Sequence, residues 1–567
     1  MHSSFLLKKI NPKLYEFRIY DKIFFMKNKN ILQKDYTANT KFYQLKLPFD
    51  IDYIIPANDS VRLLSQFIEE MDLTDLYSTY SRVRENQVSP MKMLKIMIYG
   101  YMNGLYSSRD IENACRRDIN FMYLLDGASA PDHSTFARFR SLHFAPCAEK
   151  ILAETTNFLY EIKEISGEAI FIDGTKIEAC ANKYTFVWKK AVTKNMAKLL
   201  IKIADLVQEC EELYGIKLVY KDKVKMKHVK KLRKKLYLLK KFEGIEFVHG
   251  CGKRKTILQK SIEKLEEYLS KFKDYNQKVY TCGERNSYSK TDVDATFMRM
   301  KEDAMKNGQL KPAYNLQHGV DSAYITWLTI GPQPTDTTTL IPFLKSMEES
   351  LNFKYLKIVA DAGYESEENY SFIEENNQVA FIKTANYEIS QTRKYKNDIG
   401  KIENMIYDEN NDFYICKNNK QLKVDSIKIR KSKTGYESVK TIYVCENCSN
   451  CTYKSKCIKG NNSKTPLEER VKRLETSKKF NRQRKEDLDR ITSKEGCQLR
   501  MNRSIQAEGS FAQIKHDMNF RRFMCRGKKN VLAESVLLAI AHNINKLHNK
   551  IQGNRTGKHL FPLKQTS

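Results

Sequence analysis

Three carboxylates stand where carboxylates are costly. Asp173 lies in "AIFIDGTKIEACANK" (169–183), where the apolar run Ala169 to Ile172 reads as a buried strand. A turn at Asp-Gly is the plain account. The pattern nevertheless runs on through Lys176, Ile177 and Glu178, as a strand holding a metal ligand would. Asp361 ends the apolar strand "YLKIVADAGY". Sites in α/β sheets gather at such carboxyl ends, although an Asp before Ala-Gly also forms turns. Glu508 lies in "RMNRSIQAEGSFAQIKHDM". At about 100° per residue it shares a stripe with Met501, Ile505, Phe511 and Ala512. A carboxylate on an apolar stripe is costly to bury unless it is paired or cation-bound. Lys515, two turns on, is one candidate partner. In the other account Glu508 holds metal and Lys515 meets a phosphate.

Three acidic groups from two strands and a late helix can hold two hard divalent cations, Mg²⁺ or Mn²⁺, through oxygen. In such sites the ions lie ~3.5–4 Å apart; one activates the attacking oxygen and the other steadies the leaving oxygen. The 567-residue chain carries 98 Lys and Arg against 68 Asp and Glu, a formal charge of +30. An excess of that size points to a polyanionic partner. Metal-bearing carboxylates in a basic protein point to phosphodiester chemistry.

A second cluster is "CENCSNCTYKSKC", with Cys445, Cys448, Cys451 and Cys457. Four thiols so close together suit a structural tetrahedral Zn²⁺. An iron–sulfur cluster and a metal-free remnant are the alternatives, and Cys416 is a substitute ligand. The other cysteines, of 13 in all, read as reduced buried thiols. Tyr184, Phe186 and Trp188 alternate as on one strand face, with Lys189 and Lys190 following. They read as a core face, or as a platform on which Trp188 stacks a displaced base. His318 and His542 read as packed side chains.

These residues need elements to position them. Capped helical patterns fill 58–145, including "NDSVRLLSQFIEEMDL" and "SPMKMLKIMIYGYMNGL" with Pro90 at its first helical position. With Arg109, Arg116, Arg117, Arg138 and Arg140 they suit a helix-turn-helix-like DNA-binding unit, or carry a solvated face. From 168 the pattern alternates strand and helix, as in a mixed α/β sheet. Two insertions interrupt it. Residues 189–285 are Lys-rich and helical, with heptad seams at Val229, Leu232, Leu236, Leu239 and at Leu258, Ile262, Leu265, Leu269, Phe272. They read as helices folded back on one another, whose lysines form a basic arm over DNA or a solvated face. Residues 384–495 hold the cysteines. No apolar run approaches the ~20 residues of a membrane span, and the first residues lack a signal-peptide core. An intracellular protein, with no membrane partner, is expected.

"FIDGTKIEACANKYTFVWKK", "VADAGYESEEN" and "RSIQAEGSFAQIKHDMNFRRFMCRG" resemble, in order, the signatures of DDE transposases of bacterial insertion sequences. "KTDVDATFMRMK", "KPAYNLQHGVD" and the "SPMKMLKIMIYGY…DHSTFARFR" region match too. The resemblance is to the insertion sequence eleven-eighty-two group among IS-four/five-like transposases, from about residue 30 onward. It implies an RNase H-like DDE domain (161–549) with Asp173, Asp361 and Glu508 as the metal triad. It also implies an all-helical N-terminal transposase domain (49–160), a basic segment (1–48) and a tail (550–567). Met26 is the expected start, with 1–25 an upstream extension. Cut-and-paste transposition is implied: end cleavage by hydrolysis, then attack of the 3′-OH on target DNA. The alternatives are a nuclease without strand transfer and a catalytically decayed DNA-binding protein. Double-stranded DNA (terminal inverted repeats and target), a synaptic homodimer and a cytoplasmic, nucleoid-associated location follow from the same likeness. Lys515 fits the family's Lys seven residues after the Glu. Arg503 stands five before it rather than four, and Met501 replaces a Tyr. Arg503, Lys515, Arg521, Arg522 and Arg526, with Trp188, Lys189 and Lys190, are the expected DNA contacts.

Overall fold

The computed structural model describes residues 51–81, 87–219, 224–250, 254–300, 308–460 and 465–558. The chain divides into residues 1–54 and 55–567. Of the first unit only the short helix Ile51–Ile54 is described. The expected basic segment 1–48 and start-site extension 1–25 lie outside the described residues, as do residues 559–567 of the expected tail. Everything below concerns the second unit.

Its centre is a six-stranded mixed sheet. The strands are β1 (Ala169–Glu178), then, beyond the short pair β2 (Phe186–Trp188) and β3 (Ser287–Ser289), β4 (Thr296–Arg299), β5 (Leu310–Asp321), β6 (Tyr324–Gly331), β7 (Lys357–Ala360) and β8 (Val379–Ile382). The order is β4-β5-β1-β7-β8, with β6 also on β5. β1 runs antiparallel to β5 and parallel to β7, which runs parallel to β8. β1 opens with four consecutive buried residues, Ala169 to Ile172, because the sheet is covered on both faces. On one face Ala169, Phe171, Val359 and Phe381 pack with Ile491, Leu499 and Ala507. On the other, Ile170 and Phe343 crowd Gly319, whose Cβ would come within 2.5 Å of Ile170. Each such burial contributes roughly 1.5–3 kcal/mol.

The strand does not turn at Asp173-Gly174. It continues paired, with Asp173 opposite His318 and Gly174 opposite Gln317. Gly174 is required for close approach: a Cβ there would lie 2.4 Å from Gln317 Nε2 and 2.8 Å from Asp336 Oδ1.

The N-terminal helices pack around Pro90–Met102, which is buried along nearly its whole length. The last helix, Lys528–Gln552, lies against it, against helix Ala145–Glu161 and against β6. There the Asn543 amide donates to Ile325 O and accepts from Ile325 N, both at 2.8 Å, completing a sheet edge. One expected DNA-facing residue belongs to this core instead. Arg140 is buried and donates to Tyr101 Oη and the Tyr106 carbonyl. Arg116 pairs with Glu112 at 2.6 Å. Arg109, Arg117 and Arg138 are exposed.

Between β2 and β3 the chain makes three helices, Lys189–Tyr214, Met226–Phe242 and Ile257–Cys282. Their seams meet in one cluster that includes Leu199, Ile203, Val229, Leu232, Leu236, Ile262 and Leu265. A separate antiparallel sheet, β13-β12-β11-β10-β9, carries the cysteines. Its strands are β9 (Ile406–Asp408), β10 (Phe413–Ile415), β11 (Gln421–Lys431), β12 (Glu437–Cys445) and β13 (Arg473–Thr476). Helix Lys478–Thr492, which the sequence placed inside this insertion, packs on the main sheet. Its Ile491 lies in the β1/β7/β8 cluster, and its Asp487 accepts from Tyr370 Oη (2.8 Å) and Ile382 N (3.2 Å). Its polar composition hid that face, because what it buries is largely hydrogen-bonded polar side chain.

Candidate active site

Two carboxylates meet because two strands are parallel neighbours in register. Ile172 of β1 pairs with Ala360 of β7, so Asp173 and Asp361 are the next residues along adjacent strands. β7 stops at Ala360; Asp361 caps the following turn, accepting from Gly363 N at 2.8 Å. Asp173 accepts from Gly174 N at 2.8 Å. Burial pushes the Asp173 carboxyl up to about 6, against the opposing pull of Arg503 and the Gly174 N–H. The negative charges of Asp361 and Glu508 push the same way as burial. The three carboxylates therefore share one electrostatic neighbourhood.

The third arrives on the helix that follows Lys494–Arg503. That helix passes through a π-helical segment, Ser504–Glu508, and a second one, Gln513–Asp517. Five residues span about 140° beyond a full turn of α-helix, which would separate Arg503 from Glu508. A π turn bonds i to i+5 and brings them together. The Arg503 guanidinium lies 3.1 Å from Glu508 Oε1 and 3.7 Å from Asp173 Oδ2. The unusual spacing is thus absorbed by a helical irregularity of the kind that recurs at functional sites.

The stripe expected to bury Glu508 does not do so. Met501, Ile505 and Glu508 are exposed, and the packed face carries Asn502, Gln506, Ala507, Ser510, Phe511 and Ile514. Two of the polar groups on this face find partners: Gln506 Oε1 accepts from Ala323 N at 3.0 Å, and Ser510 donates to Ala507 O, whereas Asn502 Oδ1 is buried without a hydrogen-bond partner among the described residues. A count of apolar residues cannot see that compensation. Nor do Glu508 and Lys515 form the ion pair considered from sequence. Lys515 Nζ donates to Thr175 Oγ1 at 2.8 Å, two residues along β1 from Asp173.

A fourth carboxylate escaped the sequence reading. Asp336 Oδ1 accepts from Asn315 Nδ2 (2.7 Å) and Gln317 Nε2 (3.0 Å), both on β5. Gln317 Oε1 in turn accepts from the buried Tyr364 hydroxyl. Burial first, then Asp336, Asp173 and Asp361, hold that phenol well above its ordinary value. In sequence Asp336 is one polar residue in a loop, and nothing in its spacing marks it. Glu178 faces away to Lys311 (2.9 Å) and Arg522 (3.8 Å).

Several expected DNA contacts have intramolecular partners. Arg522 donates to the Ala179 and Ala181 carbonyls, Arg526 to Cys180 O, and Arg521 to Lys515 O; all three remain exposed. Lys189 donates to Gly283 O at 2.6 Å, while Lys190 is exposed. Trp188 is half-buried beside Phe297 and Phe186. The aromatic face is not core, since it is Val187 that packs inward while Tyr184 and Phe186 stay exposed. His318 and His542 are buried, and burial lowers them to about 3 and about 4, so both are neutral near pH 7. His318 stacks on Phe511 at 4.3 Å.

Cys416, Cys445, Cys448, Cys451 and Cys457 line one cavity with Lys472. Burial, then Cys448 and Cys416, push the Cys445 thiol up to about 12. Burial also raises Cys457; Lys472 opposes this, and Cys416, Cys448 and Cys451 add to it. Among the described residues, the group whose ligand atoms all lie within 4.8 Å of one another is Glu112, Asp132 and His133. Those three are joined as an ordinary cap and ion pair: Asp132 caps the helix His133–Arg138, and Glu112 accepts from His133 N.

The donor set at Asp173, Asp361 and Glu508 is all carboxylate oxygen, the chemistry that hard divalent cations take, although the three do not all bring an oxygen within 4.8 Å of one another. Positive charge beside Asp173 offsets the burial that raises its carboxyl. The chain's own Arg503 supplies one such charge.

Residues 415–548 match the family model described as Transposase DDE domain, and residues 49–142 match the one described as Transposase domain (DUF772). These matches indicate a DDE-type transposase family. The first span contains Glu508 and Lys515 together with the cysteine cluster; the second contains the N-terminal helices. Asp173 and Asp361 lie outside both spans. No curated protein and no solved structure matches the chain. Among the described residues no helix is long and apolar enough to cross a membrane.

Proposed function

We propose that this DDE-family chain is an insertion-sequence transposase that cleaves the ends of its element and transfers the freed 3′-OH into target DNA. The observation that carries this is the convergence of Asp173 and Asp361, ends of two parallel strands, with Glu508, held by Arg503 on a π-interrupted helix. The strand order β6-β5-β1-β7-β8, three antiparallel neighbours and then two parallel additions, supports an RNase H-like core. The triad would hold two Mg²⁺ or Mn²⁺ ions, which when bound activate the attacking oxygen and stabilise the leaving one. The chain's residues do the rest. Arg503 fixes Glu508 relative to Asp173, Asp336 holds the β5 amides beside Gly174 and Gly363, and Lys515 presents an ammonium beside β1 for a phosphate. The cysteine cavity suits a structural Zn²⁺ that closes the inserted sheet. The insertion sequence eleven-eighty-two group is the branch the motifs favour. Terminal inverted repeats and target duplex are the substrates, and a homodimer is the working state at synapsis.

The test is strand transfer. DNA flanking the gene supplies the inverted repeats; a labelled end carrying them is incubated with a supercoiled target and Mg²⁺. Covalent joining that Asp361→Asn abolishes is the expected outcome. Cleavage without joining would make the chain a nuclease, and full-rate joining by Asp361→Asn would overturn the triad.

A further inference from the structure

The helix Met226–Phe242 carries eight Lys and Arg in 17 residues and no Asp or Glu. Its neighbours in the same three-helix unit are nearly balanced. Helix Lys189–Tyr214 has five Lys against four acidic residues, and helix Ile257–Cys282 also has five against four. On those neighbours positive charges find negative ones, as in Lys264–Glu209 at 3.1 Å and Lys278–Asp274 at 2.5 Å. On the basic helix, Val229, Leu232 and Leu236 are spent on the apolar cluster. Lys227, Lys230, Lys231, Arg233, Lys234 and Lys241 are exposed, and none pairs with a carboxylate among the described residues.

This arrangement costs stability. Lys227–Lys231, Lys230–Lys234 and Lys231–Lys235 are like charges at i,i+4, each pair unfavourable by roughly 0.2–0.5 kcal/mol. Lys227 also sits in the first turn, where the helix dipole disfavours a cation. A merely solvated face needs no such concentration, and the two neighbouring helices avoid it. A rod of about 25 Å with unpaired cations along it complements a duplex backbone, which presents one charge per ~1.7 Å of axis.

We infer that the helix Met226–Phe242 is a sequence-independent docking surface for the phosphate backbone of duplex DNA, separate from the carboxylate site. The inference rests on the proposal that this chain acts on DNA. It adds that part of the grip lies on the insertion between β2 and β3, whose lysines contact phosphates and read no bases.

The experiment uses the full chain and a duplex of arbitrary sequence, with binding measured across a KCl series. The variant is Lys227→Gln/Lys230→Gln/Lys231→Gln/Lys234→Gln. The control is Lys194→Gln/Lys198→Gln/Lys202→Gln on the neighbouring helix, also exposed. Circular dichroism and melting verify that both remain folded. Loss of four phosphate contacts lowers the slope of log K against log salt by about 3 to 4, and the control leaves it near wild type. If wild type binds and the quadruple variant keeps its slope, the docking surface is refuted while the active-site proposal stands. If the control lowers the slope as much as the quadruple variant, the surface is diffuse and the assignment to this helix fails. If wild type does not bind duplex DNA at all, both proposals fall.

Discussion

Arg503 joins Asp173 to Glu508, with guanidinium contacts of 3.7 Å and 3.1 Å to residues on a strand and on a helix turn five positions away. Its side chain is only 15% exposed. One planar cation thus sets the distance between two carboxylates that are far apart in sequence. Arg503→Lys keeps the charge and loses the fork. Removing contacts of this kind costs about 2–3 kcal/mol, so both Arg503→Lys and Arg503→Ala should lower end cleavage about 30- to 150-fold. Single-turnover cleavage of the terminal repeat measures it.

The π segment makes a sharper prediction. Deleting the exposed Ile505 restores an α-helical spacing of four between Arg503 and Glu508, which are neighbours on one face at that spacing. Cleavage should stay within about tenfold of wild type, since a pair at i,i+4 still meets. Inserting one Ala after Ile505 should abolish it. Equal loss in both variants would show that the π turn does more than adjust register.

Asp336 is expected to act as a positioning residue through Asn315 and Gln317. Asp336→Ala leaves the Asn315 and Gln317 amides without their shared acceptor, a loss of about 1–3 kcal/mol in local order. A 10- to 100-fold drop in kcat is expected, with KM for DNA little changed. Asp336→Asn retains an acceptor oxygen and should recover most of the rate. Failure of that rescue would assign the role to charge, and Asp336 would then join the proposed metal-binding set.

Asp487 sets a pH dependence away from the site. Burial pushes its carboxyl up to about 7, against the hydrogen bonds from Tyr370 and Ile382 N–H and the charge of Arg490. The folded chain then keeps a proton that the unfolded chain releases from about pH 4 upward. Stability therefore falls as pH rises from about 4 to about 7. Asp487→Asn removes this dependence, so its Tm relative to wild type should climb through that window and level off above it. The effect is on the order of 2–4 kcal/mol. A constant Tm difference from pH 4 to 8 would show that Asp487 ionises normally.

The cysteine cavity predicts one equivalent of Zn²⁺ per chain in metal-free buffer. Cys448→Ser should lose most of it and lower the Tm of the inserted sheet, because bound metal is folding free energy. Metal analysis of both proteins distinguishes zinc from iron. Full zinc occupancy in the variant would point to Cys416 as a working ligand in its place.

Much was legible in the sequence because it is local. The apolar run before Asp173 set a strand, Pro90 and the Asp59 cap set helix starts, and heptad steps set the three-helix insertion. The three carboxylates stand out through residue type and family likeness. Their common location depends on the parallel register of β1 with β7, a long-range pairing that no local pattern encodes. The packed face of the Glu508 helix is not the apolar stripe, because hydrogen-bonded Gln506 and Ser510 share its burial with Ala507, Phe511 and Ile514. For Tyr184, Phe186 and Trp188 the sequence leaves a core face and a base platform both open, because alternation fixes that two faces differ and not which one is covered. Asp336 carries no signal until β5 brings Asn315 and Gln317 to it.

By itself, then, the sequence determined which groups are available: oxygen donors on strand ends, a thiol cluster, and a surplus of cations with one acid-free helix. The tertiary structure alone decided how they meet. Strand register and a π turn are cooperative outcomes of packing distant segments, and the distances among Asp173, Asp361, Arg503 and Glu508 exist only once those segments have docked.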